Sequence, residues 1–143
     1  MKRSILLLAC LSLCVRVSIA QNNGSGVEKL YRLEWPRIIN FSKSNYRADI
    51  QNWSIAQDSN GIIYCANKEG LLSFDGSDWE LFPHPNRLVI RSVAAGPGGR
   101  IYTGTFEDFG YWEKDSFGHM IYYSLKSLVG DFDFHNQEIW KII

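Results

Sequence analysis

Cysteine is nearly absent from this chain: three in 143 residues, with Cys10 and Cys14 inside the first twenty. If that stretch is removed, Cys65 alone remains. One thiol cannot form an internal disulfide, so the fold must rest on packing. Neither sign of charge dominates, since 15 Lys and Arg stand against 15 Asp and Glu. That balance argues against a nucleic-acid-binding module, and no nucleic acid is expected as a partner of this region. Beyond residue 20 no apolar run approaches the roughly 20 residues of a membrane-crossing helix. No membrane span is therefore expected in this region.

The usual marks of catalytic machinery are missing too. His84, His119 and His135 are far apart, with no His-x-His or His-x3-His spacing, so no metal site is expected. There is no Gly-x-Ser-x-Gly elbow and no phosphate-cradling glycine loop; Gly96-Pro97-Gly98-Gly99 is short and rigid and reads as a turn. Asp58-x-Asn60-Gly61 is not a calcium loop, because its glycine comes fourth where such a loop needs it sixth. No catalytic residue, metal or cofactor is assigned.

What is present begins with a leader. Lys2 and Arg3 precede an apolar run from Ile5 to Val15, and Ser18-Ile19-Ala20 supplies small residues before Gln21. Residues 1–20 read as a secretory signal peptide. Two alternatives remain: an uncleaved anchor, or a lipoprotein cut before Cys10. Residues 21–52 read as a polar leader and an extended lead-in in which Pro36 argues for an edge strand.

From Trp53 the text becomes regular. Short β-rich runs alternate with turns at intervals of about ten residues, the spacing of an all-β fold. Strands are expected at 53–56, 62–66, 71–74 and 79–82, and Pro83 and Pro85 end the set. A second set is expected at 88–94, 100–104, 110–113 and 119–123, with a longer connection before its third strand and at most one helical turn in 124–129. Ile55 and Val93, Gly61 and Gly99, and Tyr64 and Tyr102 all stand 38 apart. A third copy is expected to open at 138–142, where Ile142 matches Val93 at a difference of 49. Four-stranded units at this period are the mark of β-propeller blades. The expected fold is all-β, with two four-stranded antiparallel blades (53–87 and 88–137, the latter with its connection), the first strand of a third (138–143), and an incomplete ring. The alternative is a β-sandwich whose hairpins echo one another.

Trp53-Ser54-Ile55-Ala56-Gln57-Asp58-Ser59-Asn60-Gly61-Ile62-Ile63-Tyr64, continued by Gly70-Leu71-Leu72-Ser73-Phe74-Asp75-Gly76, resembles the two-component regulator propeller repeat. Arg91-Ser92-Val93 with Gly99-Arg100-Ile101-Tyr102-Thr103-Gly104-Thr105 is a looser copy, departing at Pro97 and Gly98 where the repeat carries an Asp. The resemblance covers about half of the chain, and its motifs are structural. It implies a periplasmic sensor region of a hybrid two-component or triple-tyrosine helix-turn-helix regulator. It further implies a carbohydrate (oligosaccharide) ligand, dimerisation through parts outside this stretch, and a fragment of a longer sensor rather than an enzyme. The competing expectations are the start of a secreted propeller enzyme (a polysaccharide lyase or glycosidase) and an inactive truncated remnant.

Within this frame Glu107 and Asp108 are ligand-binding candidates, because they sit in what reads as a lengthened loop, and loops carry function. Phe109 and Trp112 join them as aromatic platforms on which a sugar ring stacks. Cys65, between Tyr64 and Ala66, reads as a small core residue. If the leader is a cleaved export signal, mass spectrometry of the exported protein finds a new N-terminus at Gln21.

Overall fold

The computed structural model describes residues 38–143; the expectations for the leader and for Pro36 lie outside the described residues. The fold considered below is that of the unit Asn40–Ile143. It consists of two four-stranded antiparallel sheets, each a plain up-and-down meander. The first holds β1 (Asn52–Gln57), β2 (Ile63–Asn67), β3 (Gly70–Phe74) and β4 (Trp79–Phe82); the second holds β5 (Ser92–Ala95), β6 (Ile101–Gly104), β7 (Phe109–Lys114) and β8 (Met120–Ser124). Among the described residues, helix is confined to α1 (Lys43–Tyr46) and two 3-10 turns, Pro97–Gly99 and Lys126–Val129. No described helix is long and apolar enough to cross a membrane.

The turns form where short polar side chains bond their own backbone. Asp58 Oδ1 accepts the N–H groups of Asn60 and Ile62 at 2.9 and 3.0 Å. Asp75 Oδ1 accepts those of Ser77 and Asp78, both at 2.8 Å. Asp115 Oδ1 accepts those of Phe117 and His119 at 2.9 and 2.8 Å. The fourth such turn has no Asp. There Gly98 and Gly99 both take positive φ, 70° and 77°, which side chains other than glycine rarely adopt. Backbone freedom replaces the side-chain bond, and the Gly96 N–H closes the turn on the Arg100 carbonyl at 2.9 Å.

The repeat is stronger in space than in sequence. Ile55 pairs with Cys65 and Val93 with Thr103; Tyr64 pairs with Ser73 and Tyr102 with Tyr111; Phe74 pairs with Ile63 and Trp112 with Ile101. Each of these residues lies 38 positions from its counterpart, so one offset runs through three strands of each sheet. The connection from β6 to β7, four residues against two from β2 to β3, is longer between strands only because the Thr105–Asp108 rung drops out of the ladder; the register is unchanged. β7 begins at Phe109, and the Thr105 N–H bonds the Asp108 carbonyl at 2.9 Å across the turn residues Phe106 and Glu107. The extra length lies one hairpin later. Phe74 faces Trp79 in the first sheet, whereas Trp112 faces Tyr122 in the second. The offset rises from 38 to 43 (79 to 122), lengthening that hairpin by two rungs and its turn by one residue.

Side chains alternate across a strand, so each sheet has two faces. Tyr64, Ala66 and Leu71 on one face of the first sheet pack with Val93, Ile101 and Trp112 of the second, and Ile90 of the connecting segment joins them. The opposite face of the first sheet carries Cys65 and Leu72, covered by Ala48, Tyr46, Trp79 and Leu81. Phe41 meets Phe74 and Trp79 edge-on at 5.0 and 5.3 Å. The lead-in is thus folded down as a cap, and α1 within it was not expected. The Arg47 N–H ends α1 on the Lys43 carbonyl at 2.8 Å, with Arg47 at φ 52°. The opposite face of the second sheet shows the row Tyr102, Tyr111 and Tyr123, with Tyr111 and Tyr123 stacked at 5.2 Å.

Two further expectations change. Residues 88–91 lie ahead of the strand, because Ile90 spends its N–H on the Asn67 carbonyl of the first sheet at 3.3 Å. The segment 138–142 makes one isolated bridge, Glu138 to Phe106, instead of a strand. A ladder needs a continuous partner, and here the neighbour is a tight turn. Even so, the Ile139 N–H bonds the Thr105 carbonyl at 2.9 Å and repeats the bond from Ile90 to Asn67. The acceptors are 38 apart and the donors 49 apart, the latter being the offset at which Ile142 matches Val93.

Leu71 is wholly buried between the sheets and Leu128 is 77% exposed. Leu71→Ala is expected to cost about 2–5 kcal/mol and Leu128→Ala less than about 0.5 kcal/mol, as measured by urea denaturation.

Candidate functional site

The four residues singled out in the sequence are placed unequally. Trp112 is 2% exposed and lies between the sheets, its indole N–H donating to Thr103 Oγ1 at 2.9 Å. Asp108 is buried and accepts the Ser124 hydroxyl at 2.6 Å and the Tyr122 hydroxyl at 3.2 Å. Both are engaged in internal bonding. Glu107 is partly exposed at φ 49°, accepts the Asn136 N–H at 3.0 Å and lies 3.9 Å from Lys126 Nζ. Phe109 is partly exposed, tilted against Phe134 at 6.3 Å. Glu107 and Asp108 thus sit at one joint of the fold, while Phe109 and Trp112, three apart on β7, lie on its opposite faces.

A different cluster forms where the first strand of each sheet begins. The Arg91 guanidinium lies over the Trp53 ring at 4.5 Å and over the Trp140 ring at 5.0 Å. The two indoles meet edge-on at 5.7 Å. Glu138 Oε1 accepts from Arg91 Nη2 at 2.9 Å. Each indole face over a guanidinium contributes about 0.5–1 kcal/mol at an exposed site and more as water is excluded. The cation is mostly covered, yet Trp53 and Trp140 remain 40% and 56% exposed. Arg91 Nε and Glu138 Oε2 are buried without a hydrogen-bond partner, so the ion pair is closed under the rings instead of open to a ligand. The cluster therefore presents two aromatic surfaces held in place by a charge beneath them.

The sequence carried a signal for this cluster that its reading missed. Trp53 and Arg91 are 38 apart, and Arg91 and Trp140 are 49 apart. These are the two offsets of the repeat, so all three side chains occupy one equivalent position. Equivalent positions of successive sheets converge when the first strands lie side by side, as β1 and β5 do: Ser54 Oγ is 3.4 Å from the Val93 N–H and 3.5 Å from its carbonyl.

A second cluster is a buried polar knot of His84, Asp108 and Tyr122. The His84 side chain is fully covered. Its Nδ1 accepts the Asn86 N–H at 3.2 Å, which leaves the proton on Nε2. Nε2 has no hydrogen-bond partner and lies 4.0 Å from Asp108 Oδ2. Burial holds the His84 pKa below its ordinary value, against the opposing pull of the Asp108 charge. Burial also drives the Tyr122 hydroxyl far upward, with the Asp108 charge adding to it, so Tyr122 stays protonated and donates. Elsewhere, an open hollow of about 490 Å³ between the lead-in and β4 is bordered by Phe41, Tyr46, Arg47, Asp78 and Trp79. No group of three or more metal-ligating side chains occurs among the described residues.

In comparisons with protein-family models, curated proteins and solved structures, nothing matches this chain.

The lowered His84 pKa makes a signed prediction. The unfolded chain takes up a proton near the ordinary value of about 6.5, and the folded chain resists it. Stability is therefore undiminished above that pH and falls as the pH drops below it. Urea midpoints between about pH 7.5 and 5 are expected to decline in the natural chain and to flatten in His84→Gln.

Proposed function

We propose that this chain carries the first two blades, and the entry to a third, of a periplasmic ligand-sensing β-propeller that belongs to a transmembrane signalling or transcription regulator. Its ligand is an oligosaccharide. The protein acts by binding, not by catalysis: ligand favours one arrangement of the sensor over another, and that shift in population is the signal.

The observation that carries this reading is the Trp53–Arg91–Trp140 stack. A propeller brings the first strands of its blades together around an axis, and a residue at the same repeat position in three successive units then meets its counterparts there. Two exposed indoles suit the apolar face of a pyranose, while its hydroxyls stay in water or find the rim. The tyrosine row on the outer face of the second sheet supports the blade assignment. Tyr102 stands where Tyr64 stands in the first sheet, and Tyr64 is covered by the second sheet.

The test uses the purified chain with cellohexaose, maltohexaose and a galacturonate hexamer as probes, read by tryptophan fluorescence and calorimetry. At least one is expected to bind and to shift indole emission. Trp140→Ala and Trp53→Ala are each expected to weaken binding roughly tenfold, about 1.4 kcal/mol. Failure of all three saccharides to bind, or binding indifferent to both substitutions, overturns the reading.

A further inference from the structure

The turn Thr105–Asp108 touches both the buried knot and the arm that carries half of the platform. On its inner side Asp108 faces His84. On its outer side the Glu107 N–H donates to the Gln137 carbonyl at 3.0 Å, Glu107 Oε1 accepts the Asn136 N–H at 3.0 Å, and the Thr105 carbonyl accepts the Ile139 N–H at 2.9 Å. Phe106 forms the isolated bridge with Glu138. The turn itself is stiff, since the Asp108 carbonyl accepts both the N–H and the hydroxyl of Thr105, at 2.9 and 3.0 Å. A displacement of Asp108 is thus handed on to residues 136–139, and through them to Glu138 and Trp140.

We propose that His84 and Asp108 form a proton-driven latch on the platform: uptake of a proton by His84 closes the 4.0 Å gap to Asp108 and moves the arm bearing Glu138 and Trp140. The gap is too long for a hydrogen bond and too short to hold a water between the two groups. Neutral His84 leaves Nε2–H without an acceptor, a costly state for a buried donor. A proton from solvent adds at Nδ1 and displaces the Asn86 N–H from it; the ring, released there and now an imidazolium, is drawn through its Nε2–H to the Asp108 carboxylate, a charge-assisted bond of about 2.7–2.9 Å. The groups opposing His84 are few. Asp108 faces it from the turn and Tyr122 from β8, its ring 4.4 Å from the imidazole, while Trp112 of β7 meets it edge-on at 6.3 Å. On its own segment, Arg87 bonds the His84 carbonyl through its backbone N–H. Among the described residues, Asp108 is the anion that faces the imidazole. Acid then changes the spacing of Trp140 against Trp53 and Arg91. Its effect on saccharide affinity rests on the platform reading above; the movement itself does not.

Nuclear magnetic resonance of the ligand-free full chain separates the two. Histidine ring and tryptophan indole signals are followed from about pH 7.5 to 5. His84 is expected to titrate below the ordinary value of about 6.5, and the Trp140 indole signal is expected to shift with the same midpoint. That coupled shift is expected to vanish in His84→Gln and in Asp108→Asn, so the test survives if one variant fails to fold. His135→Gln is the control, because His135 lies two positions before Gln137 and pairs with Asp133 at 2.9 Å. An indole shift that persists without His84, that disappears with His135, or that is absent in the natural chain overturns the latch. Lack of saccharide binding in the earlier titration removes the platform reading and leaves this result standing.

Discussion

Burial of one sheet face against another is the constraint from which the rest of this structure follows. A four-stranded meander has two faces, and its strands here are only four to six residues long. Neither sheet can build a core alone. Tyr64, Ala66 and Leu71 become interior because Val93, Ile101 and Trp112 lie over them. Each fully buried aliphatic or aromatic side chain contributes about 1.5–3 kcal/mol through removal from water. The lead-in answers the same demand on the opposite face of the first sheet, where Tyr46 and Ala48 cover Cys65 and Leu72.

Repetition turns that packing rule into a site. Because the register is shared, whatever stands at the start of one first strand stands again at the start of the next. Trp, Arg and Trp at one repeat position bring two indoles, edge-on to each other, against one flat cation, a favourable contact for both rings. Glu138 supplies the counter-charge. The same geometry places the Thr105–Asp108 turn between the knot and the platform, so a buried imidazole and two surface indoles share one mechanical element.

The strands, their turns and the 38-residue offset were legible in the text because each depends on neighbours in sequence. Asp58 and Asp75 bond N–H groups two to four residues away, and the aromatic in each second strand recurs at a fixed distance. The candidate site was less legible. In the sequence Glu107 and Asp108 read as the tip of a long loop, because Gly110 hides the start of the strand at Phe109. Carrying the offset through Phe74 and Trp112 would have shown the turn to be short and the following hairpin to be the extended one. Asp108 is buried because Tyr122 and Ser124, fourteen and sixteen residues on, satisfy its carboxylate. No local pattern announces that. The platform had a signal, the shared position of residues 53, 91 and 140, but a Trp replaced by an Arg does not read as a repeat.

By itself, then, the amino-acid order determined the kind of element, its length and its period, because alternation and turn chemistry act over two to five residues. Only the tertiary structure decided which acids are exposed, which aromatics are surface, and that Arg91 lies beneath two indoles in contact with each other. Those outcomes turn on which sheet face meets which, a contact between residues some forty positions apart. The long-range hydrogen bonds of Ser54 with Val93 and of Ser92 with Ile139 are its direct expression.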